Sequence, residues 1–464
     1  MAIDAPADQA ALADAFDLSE IRRVFATGRT RDLQWRLDQL EGIERLCDER
    51  EKDIADALHA DLGRPAAEAW LGDIASTKGE AAYARKHLKK WVRRQRQPLP
   101  VAQLPGRGWV QYDPLGVVLV IGPWNYPLYL SLGPLVAAVA AGNCAVLKPS
   151  ELAPATSALL ARLMPLYLDP EAVRVVEGDG RTTQDLLALG FDHALFTGGT
   201  EIGKKIMAAA APTLTPVTLE LGGKSPVVVA ADADLDVAAR RIAWVKLLNS
   251  GQTCIAPDYV LADRAIAEKL TEKIVANVEA FRVKESGGMR IVNARQFDRL
   301  ASLIKTTTGS IRTGGHVDAS TLTIEPTVIL DPAPDDPLMA DEIFGPLLPV
   351  ITVESAAAAI DYVNRRPKPL ALYVFTSSRR LARRLVDGIP SGGAVINHVA
   401  MHCLVPQLPF GGVGASGMGA YHGRWGFEAL SHRRAVLSKT AKPDPRLVYP
   451  PYTDRALKVM RKLF

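Results

Sequence analysis

The spacing of hydrophobic residues changes twice along the chain, and it separates three successive stretches. Over residues 10–97, apolar side chains such as Leu33 and Leu37 recur at helical spacing. From about 115 to 220, and again from about 225 to 415, runs rich in β-branched residues alternate with helical segments. Such alternation is typical of parallel strands joined by crossover helices. The pattern therefore predicts an α/β protein in which a helical segment precedes two strand–helix series.

Two further segments alternate between polar and apolar residues, as exposed strands do. They are residues 108–113, GWVQYD, and residues 427–437, FEALSHRRAVL. We predict that both segments form strands outside the two main series.

The stretch from Pro114 to Ser150 carries only one charge, that of Lys148. A window of this length suggests a transmembrane helix. Prolines at positions 114, 123, 127 and 134 interrupt it, however, and a spanning helix tolerates few such breaks. Its beginning is β-branched and its middle is rich in small residues. We therefore predict a buried strand–helix–strand unit and no transmembrane segment.

Composition and charge narrow the class of protein. Of the 464 residues, 48% are hydrophobic and 23% are charged, which is typical of globular proteins. The net charge of +4 arises from 55 basic and 51 acidic residues, so no general footprint for nucleic acid is present. We interpret the basic run from Arg85 to Arg96 as a solvated helix face rather than a polyanion site.

The cysteines and the N-terminus bear on the cellular compartment. Four cysteines stand at positions 47, 144, 254 and 403, and none is spaced as CxxC, which argues against zinc ribbons and redox dithiols. Four cysteines in a chain of this length make no disulfide framework, which favours a reducing compartment. The first 20 residues are acidic and lack the hydrophobic core of a secretory signal. We expect a cytoplasmic protein.

Glycines and a charged pair follow two strands of the first series. The turn FTGGTEIGKK places Gly198, Gly199 and Gly203 between a strand and a helix, where backbone approaches a ligand closely and a helix N-terminus favours phosphate. The turn is not a GxGxxG motif, and no acid follows at the usual interval of about 20 residues. Lys148 and Glu151, at the end of an earlier strand, have the chemistry to hold sugar hydroxyls. Ordinary capped turns explain both segments as well.

Two residues offer candidate reactive groups. Glu220 ends the strand PVTLEL and precedes two glycines, where a carboxylate serves either as a general base or as a turn cap. Cys254 follows the polar segment NSGQT, which suits a partly exposed nucleophile. Cys144 lies within an apolar run and Cys47 on a hydrophobic helix stripe, so we interpret both as core residues. No histidine lies near Cys254 in sequence, so a Cys–His hydrolase cannot be inferred directly.

The segment HVAMHC contains His398, His402 and Cys403 and resembles a metal-binding sequence. A His pair four residues apart binds zinc from a helix. The segment lies between Gly393 and Pro406 and is predicted to be strand and loop. We therefore predict no metal site.

Seven motifs occur in one order over the whole chain. They are GPWNYP, KPSE, FTGGTEIGK, LELGGKSP, NSGQTC, EIFGP and PFGGVGASGMGAYHG. In this order the chain resembles the aldehyde dehydrogenase superfamily, from about residue 15 to 450. It is most similar to the class 3 branch, through its short N-terminus and its GQTC–APDY and SGMG–YHG–FE–SHRR segments.

The resemblance implies a Rossmann-like cofactor domain, an α/β catalytic domain and a small β bridging hairpin that makes a homodimer. The expected ranges are 1–97 and 115–222 for the cofactor domain, 223–415 for the catalytic domain, 98–114 and 416–445 for the bridging elements, and 446–464 for a C-terminal tail.

The resemblance also implies a catalytic apparatus. Cys254 is the expected nucleophile, and Glu220 is the expected base for the water that releases the acid. Asn125 and the Cys254 backbone N–H are the expected oxyanion donors, each worth about 2.7–4 kcal/mol. In this chemistry the thiolate attacks an aldehyde to give a thiohemiacetal, oxidation leaves a thioester, and water hydrolyses it.

The expected cofactor is NAD, with NADP also accepted. Glu151 near the adenosine ribose repels a 2′-phosphate, while Lys148 offsets that charge. By resemblance, Glu342 and Phe344 hold the nicotinamide ribose and ring, and the glycine turn lines the pyrophosphate. The full set of expected cofactor-binding residues is Trp124, Lys148, Glu151, Gly198, Gly199, Thr200, Gly203, Glu342 and Phe344.

Other functions and the choice of aldehyde stay open at this point. A cysteine hydrolase or acyl transferase would use Cys254 alone, and a non-catalytic relative would not need Cys254, Glu220 and Asn125 together. Aromatic, medium-chain and fatty aldehydes are all compatible with the motifs. His398 stands where many relatives have Asp, which bears on specificity.

The C-terminal tail, TDRALKVMRKLF, has the pattern of a short amphipathic helix. Leu457, Met460, Leu463 and Phe464 fall on one face, and basic residues fill the rest. Such a helix lies weakly on an anionic membrane or docks its apolar side on its own dimer. We favour docking, since a helix of under about 12 residues is marginal without packing.

Overall fold

The computed structural model describes residues 16–282 and 289–463 of the chain. Its helices are α1 Leu18–Ala26, α2 Leu33–Glu49, α3 Glu51–Leu62, α4 Ala66–Ala69, α5 Ala75–Trp91, α6 Tyr129–Ala141, α7 Pro154–Tyr167, α8 Gly180–Ala188, α9 Thr200–Ala210, α10 Leu235–Leu247, α11 Ala267–Phe281, α12 Ala294–Thr306, α13 Ala356–Asn364, α14 Arg379–Gly388, α15 Gly423–Ala429 and α16 Asp454–Leu463. A π-helical turn, Trp70–Ile74, joins α4 to α5.

The strands form three larger sheets and a short pair. They are β1 Gln95–Gln97, β2 Gly106–Pro114, β3 Val117–Ile121, β4 Cys144–Lys148, β5 Val173–Val175, β6 His193–Thr197, β7 Val217–Glu220, β8 Pro226–Val229, β9 Tyr259–Asp263, β10 Ser310–Thr313, β11 Val317–Asp318, β12 Thr323–Ile324, β13 Thr327–Leu330, β14 Leu347–Val353, β15 Ala371–Phe375, β16 Gly393–Ile396, β17 Gly417–Met418 and β18 Ser431–Lys439.

The first strand–helix series folds into a six-stranded sheet of order β17-β7-β6-β3-β4-β5. The five strands from β3 to β7 are parallel, and only β17 is antiparallel. The carboxyl ends of the parallel strands therefore meet at one edge, which brings Lys148, Thr197 and Glu220 to that edge. The edge of a doubly wound sheet is where such folds bind ligands.

The buried unit predicted after Pro114 is confirmed as β3, α6 and β4. All 13 residues of α6 are buried, because the helix packs in a cluster with α2, α5 and α7 on one face of the first sheet. A helix covered all round needs no polar stripe. Within the described residues, no helix is both long and apolar enough to cross a membrane.

The second series folds into a seven-stranded sheet of order β10-β13-β14-β9-β8-β15-β16. All pairs are parallel except that of β10 with β13. Its two faces are buried in separate hydrophobic clusters, one around α10 and α11 and one around α13 and α14. The predicted α/β fold class is confirmed.

A three-stranded antiparallel sheet, β1-β2-β18, stands apart from the two main sheets. Strand β2 contains the predicted strand 108–113 and pairs with β18 over nine residues. The prediction for 427–437 is wrong at its start, because Phe427 belongs to α15 and the strand begins at Ser431. Phe427 packs edge-on against Tyr112 and beside Trp91, so hydrophobic packing outweighs the alternating pattern.

The chain between α15 and the second sheet adds an edge strand to the first sheet. In this strand, β17, Gly417 stands opposite Glu220 and Met418 opposite Leu219. Segment 416–445 thus contributes to both the first sheet and the three-stranded sheet, and the domain boundaries given above remain a prediction.

The tail forms the helix α16, whose Ala456 is buried while Leu457 is exposed. Phe464, which was predicted to share the apolar face, lies outside the described residues.

Candidate active site

Glu220 is the last residue of β7, and its side chain is only 3% exposed. Its backbone is held by β6 and β17 on either side, and its carbonyl accepts a bond from the Gly198 N–H at 3.0 Å. Neither carboxylate oxygen has a hydrogen-bond partner among the described residues. Burial raises the pKa of this carboxyl well above its usual value. Glu220 therefore caps no turn, and its oxygens are free to take a proton.

Cys254 lies in the loop before β9 and is partly exposed, whereas Cys47 and Cys144 are fully buried. Burial raises the pKa of the Cys254 thiol, and the negative charges of Glu342 and Glu220 raise it further. Both carboxylates therefore act electrostatically on the sulfur. For Cys47 and Cys144, burial raises the pKa to about 12, as expected for packed core thiols.

Asn125 is buried and connects the segment before α6 to the cysteine loop. Its side-chain amide donates to the carbonyl of Gln252 at 3.1 Å. The amide of Asn249 donates to that same carbonyl at 3.0 Å and to the Asn125 carbonyl at 2.9 Å. The hydroxyls of Tyr126 and Thr253 are 3.0 Å apart and share a hydrogen bond. Asn125 is therefore held beside the residues that lead to Cys254.

The predicted ribose pair lies at the carboxyl end of β4. Lys148 is only 2% exposed, and its ammonium is 3.0 Å from a carboxylate oxygen of Glu151, which is itself exposed. The buried ammonium of Lys148 holds the exposed carboxylate of Glu151 in place, where the carboxylate is able to accept hydrogen bonds from a polar ligand at this edge.

The glycine turn divides into an open part and a packed part. Gly199 precedes the first turn of α9, and a Cβ placed there would meet nothing within 4 Å. A Cβ on Gly203 would instead lie 2.6 Å from the Leu221 side chain, so this glycine lets α9 pack on the sheet. The Thr200 hydroxyl donates to the Ala415 carbonyl at 3.2 Å. Gly199 thus offers access to a ligand, while the structure gives Gly203 a packing role.

Glu342 approaches the end of β7 from the second sheet. A Cβ on Gly222 would meet the carboxylate of Glu342, so a larger residue there would displace that side chain. Burial, with help from the charge of Asp258, raises the pKa of Glu342 to about 8. Phe344 has a positive φ of 50° and meets the Trp124 ring edge-on, with 5.4 Å between centroids.

Three charged residues near Glu342 were not singled out from the sequence. Lys224 pairs with Asp258 at 2.6 Å and donates to two backbone carbonyls. The ammonium of Lys246 is buried without a partner among the described residues, and burial lowers its pKa to about 8. Lys224 is the lysine of the motif LELGGKSP, so that motif could have pointed to it. Lys246 sits in an ordinary helical pattern, which gave no signal.

The histidines of HVAMHC are packing residues. The strand predicted in this stretch is present as β16, Gly393–Ile396, and the loop after it contains one 3-10 turn, Met401–Leu404. His402 lies between the rings of Tyr373 and Phe410, at 6.4 and 5.6 Å, and burial lowers its pKa. His398 faces Trp244 edge-on at 6.5 Å. In 16–282 and 289–463 no three His, Cys, Asp or Glu side chains are grouped to hold a metal ion.

Sequence and fold both match known proteins. The sequence pattern that defines the aldehyde dehydrogenase family matches residues 6–436 of this chain. Aldehyde dehydrogenase family 3 member H1 of Arabidopsis thaliana is 45% identical over 453 residues, which cover 96% of this chain and 94% of that protein. The "dimeric NADP-preferring" aldehyde dehydrogenase of Rattus norvegicus is 44% identical over 438 residues, which cover 93% and 96%.

A solved structure of Staphylococcus aureus AldH in a substrate-bound state has a TM-score of 0.93 and 38% sequence identity, over 96% of this chain and 98% of that chain. The chain therefore belongs to the aldehyde dehydrogenase family. It is an oxidoreductase that acts on aldehydes with NAD or NADP.

The buried Glu220 makes stability depend on pH. Its pKa in the folded state exceeds that of about 4.3 in the unfolded chain, so the folded state loses stability as pH rises above 4.3 toward the raised value. Glu220→Gln removes this loss without changing the shape of the side chain. We expect its melting temperature to exceed that of the parent by more at pH 8 than at pH 5.

Differential scanning fluorimetry at both pH values measures this difference. The exposed Glu201 on α9 supplies the control, and Glu201→Gln is expected to give the same small change at both pH values. An equal gain from Glu220→Gln at pH 5 and pH 8 would contradict the assignment.

Proposed function

We propose that Cys254 attacks the aldehyde carbonyl, that Asn125 stabilises the resulting oxyanion, and that Glu220 activates the water that releases the carboxylic acid. The observation that carries these roles is the buried Glu220 carboxylate, whose two oxygens have no hydrogen-bond partner among the described residues. A buried acid without a structural partner destabilises the fold, and such groups cluster at catalytic sites.

In the first step the Cys254 thiolate sulfur forms a bond with the carbonyl carbon, while the π electrons of the carbonyl bond move to its oxygen. The charge that develops on the carbonyl oxygen needs donors that are fixed in advance. The Asn125 amide and the Cys254 backbone N–H are suited to this task, since Asn125 is already tied to the cysteine loop through the Gln252 carbonyl at 3.1 Å. A donor that is held rigidly needs little reorganisation when the charge appears.

The dinucleotide fits the edge of the first sheet. The open backbone at Gly199 leaves space at a helix N-terminus, and Lys148 and Glu151 offer a charged pair farther along the same edge of the sheet. Glu342, Phe344 and Trp124 would hold its nicotinamide end. When bound, the dinucleotide supplies the oxidant for the aldehyde carbon.

The last step needs a base beside the thioester. A Glu220 oxygen accepts a proton from water, and the hydroxide oxygen bonds to the acyl carbon while the bond to sulfur breaks. Because burial raises the pKa of Glu220, the ionised base becomes more abundant as pH rises. The same burial gives the carboxylate a strong affinity for the proton it removes.

An aromatic or a medium- to long-chain aliphatic aldehyde suits the surroundings of Cys254. The rings of Tyr421 and Phe410 flank His422 at 4.4 and 5.1 Å. Burial raises the pKa of Tyr421, and the charges of Glu220 and Cys254 contribute, so this aromatic group lies within their electrostatic reach. Cys254 packs against the hydrophobic cluster that contains Tyr421 and Phe410, which favours an apolar substrate.

Two variants separate the acylation and hydrolysis steps. We expect Cys254→Ala to lower both dehydrogenase and esterase turnover by at least about 1000-fold. Glu220→Gln is expected to give a burst of one equivalent of reduced cofactor, followed by steady turnover slowed about 100-fold, because acylation proceeds without the base. Stopped-flow absorbance of the reduced cofactor with an aromatic aldehyde measures both.

Cys403→Ala is the matched control, because Cys403 is the other partly exposed thiol of the described residues, and it should keep normal turnover. Loss of the burst in Glu220→Gln, with cofactor binding intact, would show that Glu220 activates the thiol instead. A cysteine hydrolase would show esterase activity with no aldehyde-dependent reduction of cofactor.

NAD is the proposed preferred cofactor, with NADP also accepted. The exposed carboxylate of Glu151 repels a 2′-phosphate, whereas Lys148 beside it offsets part of that charge. The rat relative named above is described as NADP-preferring, which supports use of both cofactors.

Replacement of Glu151 tests the origin of this preference. Glu151→Ser is expected to raise the ratio of kcat/KM for NADP to that for NAD about tenfold, since it removes one repulsive charge. Steady-state kinetics with both cofactors give the ratio, and Glu272→Ser on the exposed surface of α11 serves as control. An unchanged ratio in Glu151→Ser would place this carboxylate away from the 2′ position.

A homodimer in the cytoplasm is the proposed form of the protein. Strand β18 is a nine-residue edge strand whose side chains are mostly exposed, and such an edge is a template for pairing with another chain. A relative named dimeric supports this arrangement. Contact of the tail with a membrane, or its docking on the dimer, remains a prediction.

Sedimentation equilibrium tests the oligomeric state directly. We expect about twice the chain mass of 50.0 kDa. A mass near one chain or four chains would contradict the dimer.

A further inference from the structure

Arg64 and Asp73 form an ion pair in the interior of the protein, with side chains 1% and 0% exposed. Both residues lie in the segment between α3 and α5, outside every motif used so far. One arm of the Arg64 guanidinium donates to the Asp73 carboxylate, and the other arm donates to the backbone carbonyl of Asn125. The pair therefore touches the proposed oxyanion donor directly.

The second oxygen of Asp73 accepts hydrogen bonds from the backbone N–H groups of Leu128 and Tyr129, at 3.1 and 2.9 Å. These N–H groups belong to the first turn of α6, where helices have unpaired donors. Arg64 and Asp73 together thus hold the segment 125–129 at both of its ends, by a carbonyl at one end and by two N–H groups at the other.

Arg64 also contacts Tyr126, the next residue of the 125–129 segment. Its guanidinium carbon lies 4.5 Å from the centroid of the Tyr126 ring. The hydroxyl of that ring shares a hydrogen bond with Thr253, the residue before Cys254. Gly72 packs below the same ring, where a Cβ would come within 2.8 Å. The guanidinium therefore contacts both the donor segment and the ring that meets the nucleophile loop.

A buried ion pair is a poor device for stability alone, because desolvation offsets much of the attraction between the charges. It is a good device for fixing geometry, since the planar guanidinium holds two acceptors in set directions. Oxyanion donors need such fixing, because a displacement of about 1 Å costs on the order of 100-fold in rate.

We propose that Arg64 and Asp73 are positioning residues that hold the Asn125 amide in register with the Cys254 sulfur. The proposal rests on the proposed role of Asn125. Neither residue touches the substrate in this scheme, and each acts through the 125–129 segment.

A double-mutant cycle tests the proposal. Arg64→Lys keeps the charge and loses the planar fork, and it is combined with Asn125→Ala. We expect Arg64→Lys to lower kcat/KM for an aldehyde about tenfold and Asn125→Ala to lower it about 100- to 1000-fold. The double variant should be no slower than Asn125→Ala alone, within about threefold, because Arg64 acts through that amide. Multiplicative losses would overturn the proposal.

Alkylation of Cys254 by iodoacetamide gives a readout that a merely structural role would change. The alkylation reaction forms no oxyanion. Its rate constant in Arg64→Lys should therefore equal that in the parent protein, as measured by mass spectrometry of the Cys254 peptide. A parallel loss of alkylation and aldehyde oxidation would show that the whole cysteine loop is disturbed, and it would overturn the proposal. Arg85→Lys, in the peripheral Arg85–Glu44 pair, is the matched control and should leave both rates unchanged.

Folding failure is also informative. If Arg64→Lys does not fold, Asp73→Glu is put through the same cycle, because it keeps the charge and moves the carboxylate. Failure of both variants to fold would assign the pair a structural role and overturn the proposal. Absence of aldehyde-dependent cofactor reduction in the parent protein would refute the proposed function itself. Multiplicative losses of kcat/KM in an active parent protein would refute only the positioning role of Arg64 and Asp73.

Discussion

The site depends on the Glu220 carboxylate, which the first sheet keeps buried and which has no hydrogen-bond partner among the described residues. Glu220 cannot withdraw to solvent, because its backbone is paired with β6 on one side and β17 on the other. Transfer of such a group from water costs several kcal/mol or leaves it protonated. Hydrophobic burial of the strands of this sheet offsets the cost of desolvating the carboxylate. The same burial raises the pKa of the Glu220 carboxyl.

Close backbone approach is the second requirement, and it accounts for the glycines near the site. At Gly417, opposite Glu220, a Cβ would lie 2.1 Å from the Leu219 carbonyl, and the φ of 139° lies in a region that favours glycine. At Gly222 a Cβ would fall on the Glu342 carboxylate. The glycine-rich motifs therefore serve mainly to let the two sheets and the final edge strand meet around the reactive groups.

Ionisable groups gather where the two sheets meet, and two of them, Glu220 and Lys246, have no hydrogen-bond partner among the described residues. Burial lowers the pKa of Lys246 to about 8 and raises that of Glu342 to about 8, so each is shifted toward its neutral form near neutral pH. By contrast, Lys224 and Asp258 form a close pair. Buried ionisable groups without partners lower the stability of the fold but have strongly shifted pKa values, which is typical of catalytic centres.

The sequence by itself determined what depends on local pattern: the two strand–helix series, the buried unit after Pro114, and Glu220 and Cys254 as candidate reactive groups. Periodicity and the chemistry of neighbouring residues are sufficient for these features. Only the tertiary structure decided that residues 427–429 end a helix, since packing of Phe427 outweighs alternation. It alone revealed Arg64, which reaches a carbonyl 61 residues away. No local pattern specifies such a partner, because the contact exists only once the helical segment and the first sheet have packed together.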